Sequence, residues 1–177
     1  MTEYVALLRG INSGQNPAMK MDNLRKIFED MGFENVSTVI ASGNVLFDLP
    51  DGMEFNRKEL EQKIEEEILK QGKFRSPATI RTKTEIEKLL KSNPFKDQKL
   101  GKTIKPHISF LRTGTQLPKG FKTPHKGQGF TILGITDSNV ASIVNLGTAK
   151  SPDLMKVLDD TFGKDVTTRT WGTVEKI

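Results

Sequence analysis

Ala6-Leu7-Leu8-Arg9-Gly10-Ile11-Asn12 is the stretch whose reading decides the fold. With Tyr4 and Val5 ahead of it, the run Tyr4–Leu8 is short and continuously apolar, as expected of a strand covered on both faces. It then breaks into an arginine, a glycine and an amide with no polar transition. A strand leaving the core at the rim of a sheet does this, and ligand crevices lie at such rims. There Arg9 can fork to a carboxylate or phosphate, Gly10 lets backbone come close, and Asn12 adds an amide. The plainer reading pairs Arg9 with a structural acid and leaves Gly10 to make a turn.

Two further polar stretches look built to meet this one. Ser42-Gly43-Asn44 separates the β-branched and aromatic runs Val36–Ile40 and Val45–Phe47, so it reads as a hairpin turn. It can present a hydroxyl, an amide and N–H groups to an anion, or simply supply the residues a tight turn demands. Thr168-Arg169-Thr170-Trp171 reads as part of a closing strand from Val166 to Trp171. Strand alternation puts Arg169 and the only tryptophan on one face. That pair can clamp an anion or stack on a ring, or be a structural cation–π pair.

Outward from these motifs, Leu24, Ile27, Phe28 and Met31 mark a helix stopped by Gly32, and Asn56 with Glu59 caps a second helix carrying Leu60, Ile64 and Ile68 to Gly72. Pro77 to Thr82 reads as an edge strand. The order β-α-β-β-α-β is a ferredoxin-like half with both helices on one face. The second half is a partial echo. Thr84 with Glu87 opens a helix, Ile108 to Arg112 is a strand, and Phe130–Ile135 and Val140–Val144 form a hairpin. Ser151-Pro152-Asp153 starts a helix that stops at Gly163. Gly114 to Gly129 stands as a mobile loop where the matching helix would be. The expected class is therefore α+β: two ferredoxin-like-related halves, residues 1–83 and 84–177, with mixed or antiparallel sheets and helices packed on one face.

Composition sets limits on chemistry. The 177 residues include no cysteine and two histidines, His107 and His125. A disulfide framework, a thiolate metal site and a cysteine nucleophile are excluded, and a zinc site has too few ligands. No cofactor and no metal are expected. The N-terminus shows no signal pattern and no apolar run spans a bilayer, so a cytoplasmic protein without a membrane partner is expected. Gly101-Lys102-Thr103 lacks the leading glycine and strand of a phosphate loop. Glu65-Glu66-Glu67 reads as a solvated helix face. No acid–base pair is evident, and no catalytic residue is nominated. The net charge of +5 is local: Lys96 to Lys126 holds eight basic residues against one acid. That segment reads either as solvated loops or as a nucleic-acid-facing patch.

Taken together, the three motifs resemble the family catalogued as domain of unknown function 1697. The likeness runs through Ala6–Asn12, Leu24-Arg25, Met31–Val36, Ser42–Phe47, Thr167–Trp171 and Thr173–Ile177. It implies a two-part α+β fold related to a duplicated ferredoxin-like arrangement, and it implies no activity. The family's polar positions fall on Arg9, Gly10, Asn12, Ser42, Gly43, Asn44, Arg169 and Trp171. This chain departs from the pattern at Ser13-Gly14-Gln15-Asn16-Pro17, where the family usually has a Gly-Gly or similar pair and a basic residue. It departs again at Gly172, where the family often has asparagine. The functional expectation is a small anionic ligand (nucleotide, phosphate or carboxylate) held by these residues between the halves. The alternatives are a nucleic-acid module using residues 96–126, an enzyme of unassigned reaction, or a structural monomer or homodimer.

Overall fold

The computed structural model describes residues 2–148 and 153–177. Contacts divide the chain into two compact units, Met1–Lys88 with Ile177, and Leu89–Lys176.

In the first unit the chain runs β1 (Glu3–Leu8), α1 (Met21–Asp30), β2 (Glu34–Thr38), β3 (Asn44–Asp48), α2 (Arg57–Gly72) and β4 (Ala78–Thr82). Its strands lie in the order β2-β3-β1-β4, and every pairing is antiparallel. Alternation sends Ala6, Leu8, Val45, Phe47, Ala78 and Ile80 to one face, where Leu24, Ile27 and Phe28 of α1 and Leu60, Ile64 and Ile68 of α2 complete a core. Both helices cover the same face, as the pattern requires. Val5 and Leu7 point the other way and are also fully buried, so β1 is apolar throughout because neither face meets water.

The helix ends follow local chemistry. Asn56 Oδ1 accepts the Glu59 N–H at 3.0 Å and opens α2. At its other end the left-handed residue is Lys73 (φ 63), not Gly72. Gly72 is small for a different reason: a Cβ there would stand 2.9 Å from Met19 Cε and 3.2 Å from the Phe74 ring. The next helix, α3 (Lys83–Ser92), begins two residues before the Thr84–Glu87 spacing suggests. Its capping box is Thr82 with Glu85: Thr82 Oγ1 accepts the Glu85 N–H and a Glu85 carboxylate oxygen accepts the Thr82 N–H at 2.7 Å.

The second unit contains β5 (Ile104–Phe110), β6 (His125–Gly127), β7 (Phe130–Thr136), β8 (Asn139–Asn145), α4 (Leu154–Phe162), β9 (Thr167–Thr170) and the short α5 (Trp171–Val174). The strand order is β6-β7-β8-β5-β9, again antiparallel throughout. Without β6 it reads β7-β8-β5-β9, the order of the first sheet. Leu154, Leu158 and Phe162 of α4 pack with Phe130, Ile132, Val140 and Val144. Ser151 and Pro152, read from sequence as the start of α4, lie outside the described residues.

Three expectations for this half need correcting. The strand around Ile108 begins earlier, at Ile104, and ends at Phe110, short of Arg112, which instead reaches Asp165 at 3.2 Å. The segment Gly114–Gly129 is not loop throughout: it includes β6 and sets Phe121 against Phe162, ring centroids 5.5 Å apart. Trp171 is not in the closing strand. Thr170 accepts the Thr173 N–H, which caps α5 and ends β9 one residue early.

Candidate functional site

The first two polar motifs meet at the C-terminal end of β1. Leu8 N–H donates to the Gly43 carbonyl at 2.8 Å, and Ile11 packs under Gly43 so closely that a Cβ there would stand 2.7 Å from Ile11 Cγ1. Gly43 is also left-handed (φ +81), so glycine is required on both counts. Arg9, half-buried, is held by its backbone: its N–H donates to Pro77 O at 2.9 Å and its carbonyl accepts from Ser76 Oγ at 2.8 Å. Gly10 O accepts from Asn16 Nδ2 at 3.1 Å and Ser13 Oγ at 3.2 Å.

The amides of these motifs serve the fold. Asn12 Oδ1 accepts the Met19 N–H at 2.8 Å, while its Nδ2 donates to Met19 O and to Ala41 O. It therefore latches the 10–19 loop to the hairpin tip. Asn44 is fully buried and donates to Val39 O at 2.8 Å and to Ser42 Oγ at 3.2 Å. Between them Ile40 is left-handed (φ 59) and exposed, an unusual state for a β-branched residue.

The backbone of the loop has a pattern of its own. The chain is left-handed at Gly10, Asn12 and Gly14 (φ 82, 52 and 82) and not at the intervening Ile11 and Ser13. Where left-handed residues alternate with right-handed ones, successive N–H groups turn toward one side, as in anion-binding nests. Among the described residues, the N–H groups of Gly10 to Gly14 have no acceptor.

The third motif lies in the second unit. Arg169 is half-buried in β9 opposite Ile108, donates to the Thr168 carbonyl at 3.0 Å, and is pushed down by burial to about 10. Trp171 is 9% exposed and meets Phe95 edge-on, centroids 5.2 Å apart, a packing role in that unit's core. In the basic segment, Lys96, Lys99, Lys102, Lys105, Lys119, Lys122 and Lys126 are exposed, but Phe95, Phe110 and Phe130 are buried. An RNA-binding sheet displays aromatics on its open face, and these rings are not displayed.

One charged cluster was not anticipated. The outward N–H groups of edge strand β4 each meet a carboxylate: Ala78 meets Glu65 at 2.8 Å, Ile80 meets Glu61 at 3.1 Å, and Thr82 meets Glu85 at 2.7 Å. Glu65 thus leaves the solvated face to which composition assigned it. Arg57 forks to both Glu85 oxygens at 3.0 and 2.9 Å. Burial alone would raise Glu85, but the Thr82 N–H, the Arg57 hydrogen bonds and the Arg57 and Arg81 charges hold it below the usual carboxylate range. Arg81, 2% exposed, is pushed down to about 10 by burial against the pull of Glu85. The available signal was the i, i+4 spacing of Glu61 and Glu65, each immediately after a core residue, Leu60 and Ile64. The arrangement closes a sheet edge against pairing. Among the described residues no group of three or more His, Asp or Glu side chains is placed to hold a metal ion, and no helix is long and apolar enough to cross a membrane.

Known proteins share this architecture. The chain superposes on the conserved bacterial protein SP0830 from Streptococcus pneumoniae with a TM-score of 0.76 over 99% of this chain and 96% of the other, at 22% identity. That likeness speaks to the fold. No functionally curated protein matches the chain. The family described as protein of unknown function DUF1697 matches residues 1–127, which include the strand end at Arg9, the loop after it and the Ser42–Asn44 tip, so the chain belongs to that family.

Proposed function

We propose that the protein binds a small anion, a phosphate-bearing or carboxylate ligand, at the C-terminal end of β1. The observation that carries this reading is the left-handed alternation at Gly10, Asn12 and Gly14, with N–H groups that have no acceptor among the described residues. Arg9 leads into the loop and supplies the positive charge, while Ser42 and Gly43 stand beside it. Asn12 and Asn44 act by holding that shape. Arg169 and Trp171 belong to the second unit.

The same reading extends to ancestry. The order β2-β3-β1-β4 with the sequence β-α-β-β-α-β supports a ferredoxin-like first half, and β7-β8-β5-β9 supports a related second half. A duplication joining residues 1–83 to 84–177 accounts for both.

A thermal-shift series with phosphate, nucleoside phosphates and carboxylates tests the binding. Gly14→Ala is the informative variant, because nothing lies within 4 Å of its Cβ position and only the left-handed backbone is affected. Leaving that conformation to an L-residue costs roughly 1–2 kcal/mol, enough to open the nest without touching the core. Anion stabilisation present in wild type, lost in Gly14→Ala and reduced in Arg9→Gln is expected. No stabilisation by any anion, or equal stabilisation in Gly14→Ala, overturns the reading. Stabilisation by oligonucleotide alone favours the lysine-rich segment instead.

A further inference from the structure

The face of the second sheet that α4 leaves uncovered holds a cavity of about 220 Å³ at its β6–β7–β8 end. Ile104 pairs with Asn145 and Thr131 with Ile143, so these four side chains share that face, while the neighbouring Ile132 and Val144 join the α4 core. The cavity exists because its lip carries no side chains. The Cβ position of Gly127 is taken by the Phe130 ring, 2.2 Å away, and Gly129 is left-handed (φ 70) with its carbonyl accepting the Asn145 N–H at 2.8 Å.

The lining is chemically one-sided. Ile104 and Ile143 give an apolar floor, while the Phe130 ring turns to the other face and joins the α4 core. Lys126 is exposed beside it, and Thr131 adds a hydroxyl. Asn145 Oδ1 already accepts the Gly147 N–H at 2.9 Å, which leaves its amide nitrogen as a donor. Among the described residues no aspartate or glutamate lines the space. Donors and a cation over an apolar floor, with no acid, suit an anion that has a hydrocarbon body. The volume sits below the range of about 300–1,000 Å³ typical of drug-sized ligands, so the body is small.

We propose that this cavity binds a small carboxylate bearing an aryl or branched-alkyl body, with the carboxylate on Lys126 and Asn145 and the body on Ile104 and Ile143. The residues that line it all belong to the second unit, and those of the loop after β1 to the first. Phenylacetate is the probe, followed by amide chemical shifts in the full chain. Acetate keeps the charge without the ring, and benzyl alcohol keeps the ring without the charge. Saturable shifts at Thr131, Ile143 and Asn145 with phenylacetate, and far weaker ones with either control, are expected. Lys126→Gln, at an exposed position, weakens phenylacetate about tenfold, the equivalent of 1.4 kcal/mol. Thr131→Trp, which fills the space, removes binding while the thermal transition stays cooperative. Absence of saturable shifts in wild type, equal response to acetate, or unchanged affinity in Lys126→Gln overturns the proposal. So does displacement of the same amides by a single-stranded oligonucleotide and not by phenylacetate.

Discussion

In the first unit the connection from β1 to β2 is a helix whose Leu24, Ile27 and Phe28 are all at most 2% exposed. In the second unit the corresponding connection, from β5 to β7, makes no helix. It adds the edge strand β6 and contributes Phe121, half-buried, to the core under α4. The strand order is the same in both. A sheet can keep its order when one covering helix is lost, provided the connection still delivers an apolar group to the exposed face and its new edge is short. The apolar cover differs accordingly, three buried side chains against one partly buried ring. The first unit should be the more costly to damage.

Breaking this contrast starts with the largest effect. Phe28→Ala removes a fully buried ring that meets both Phe33 and Phe47, and should lower unfolding free energy by about 3–5 kcal/mol in chemical denaturation. Glu61→Ala leaves the Ile80 N–H of the β4 edge without its acceptor, which costs about 1–3 kcal/mol. Glu61→Gln keeps an acceptor oxygen and should recover part of the loss. Gly127→Ala drives a methyl into the Phe130 ring and should cost about 1–3 kcal/mol, tested by the same denaturation. Phe121→Ala should cost roughly 1–2 kcal/mol, because only part of its ring leaves water on folding. Equal losses at Phe28 and Phe121 would contradict the contrast between helix cover and loop cover.

The smallest effect concerns pH. Glu85 has its folded pKa held below the unfolded value, so its contribution is present above the unfolded carboxylate range and is lost as pH falls through the folded value. Acid melts of wild type should therefore fall more steeply below about pH 4.5 than those of Glu85→Gln, whose reference stability is lower and flatter.

Much of the first unit was legible because its signals were redundant. The apolar run of β1, the i, i+3, i+4 spacing of α1 and the Asn56–Glu59 cap each specify the same order. The meeting of the Arg9 and Ser42 motifs could be anticipated, but the use of their amides could not. Asn12 and Asn44 are as suited to a ligand as to a carbonyl, and only coordinates reveal Met19, Ala41 and Val39 as their partners. The closing strand ends one residue before Trp171 despite the strand propensity of tryptophan, because the Thr170 hydroxyl capping Thr173 decides the matter locally. The carboxylates along β4 were hidden because helix periodicity alone does not tell a solvated acid from one facing a sheet edge. The alternation at Gly10, Asn12 and Gly14 was present in composition, yet handedness is a backbone property that residue type only permits.

The proposed binding of an anion by the Gly10–Gly14 backbone has a direct readout. Amide chemical shifts during a phosphate titration test it directly. Saturable movement of the Gly10, Ile11, Asn12, Ser13 and Gly14 resonances in wild type, absent in Gly14→Ala, is the predicted result. Resonances that stay in place there while only those of exposed lysines move would contradict it.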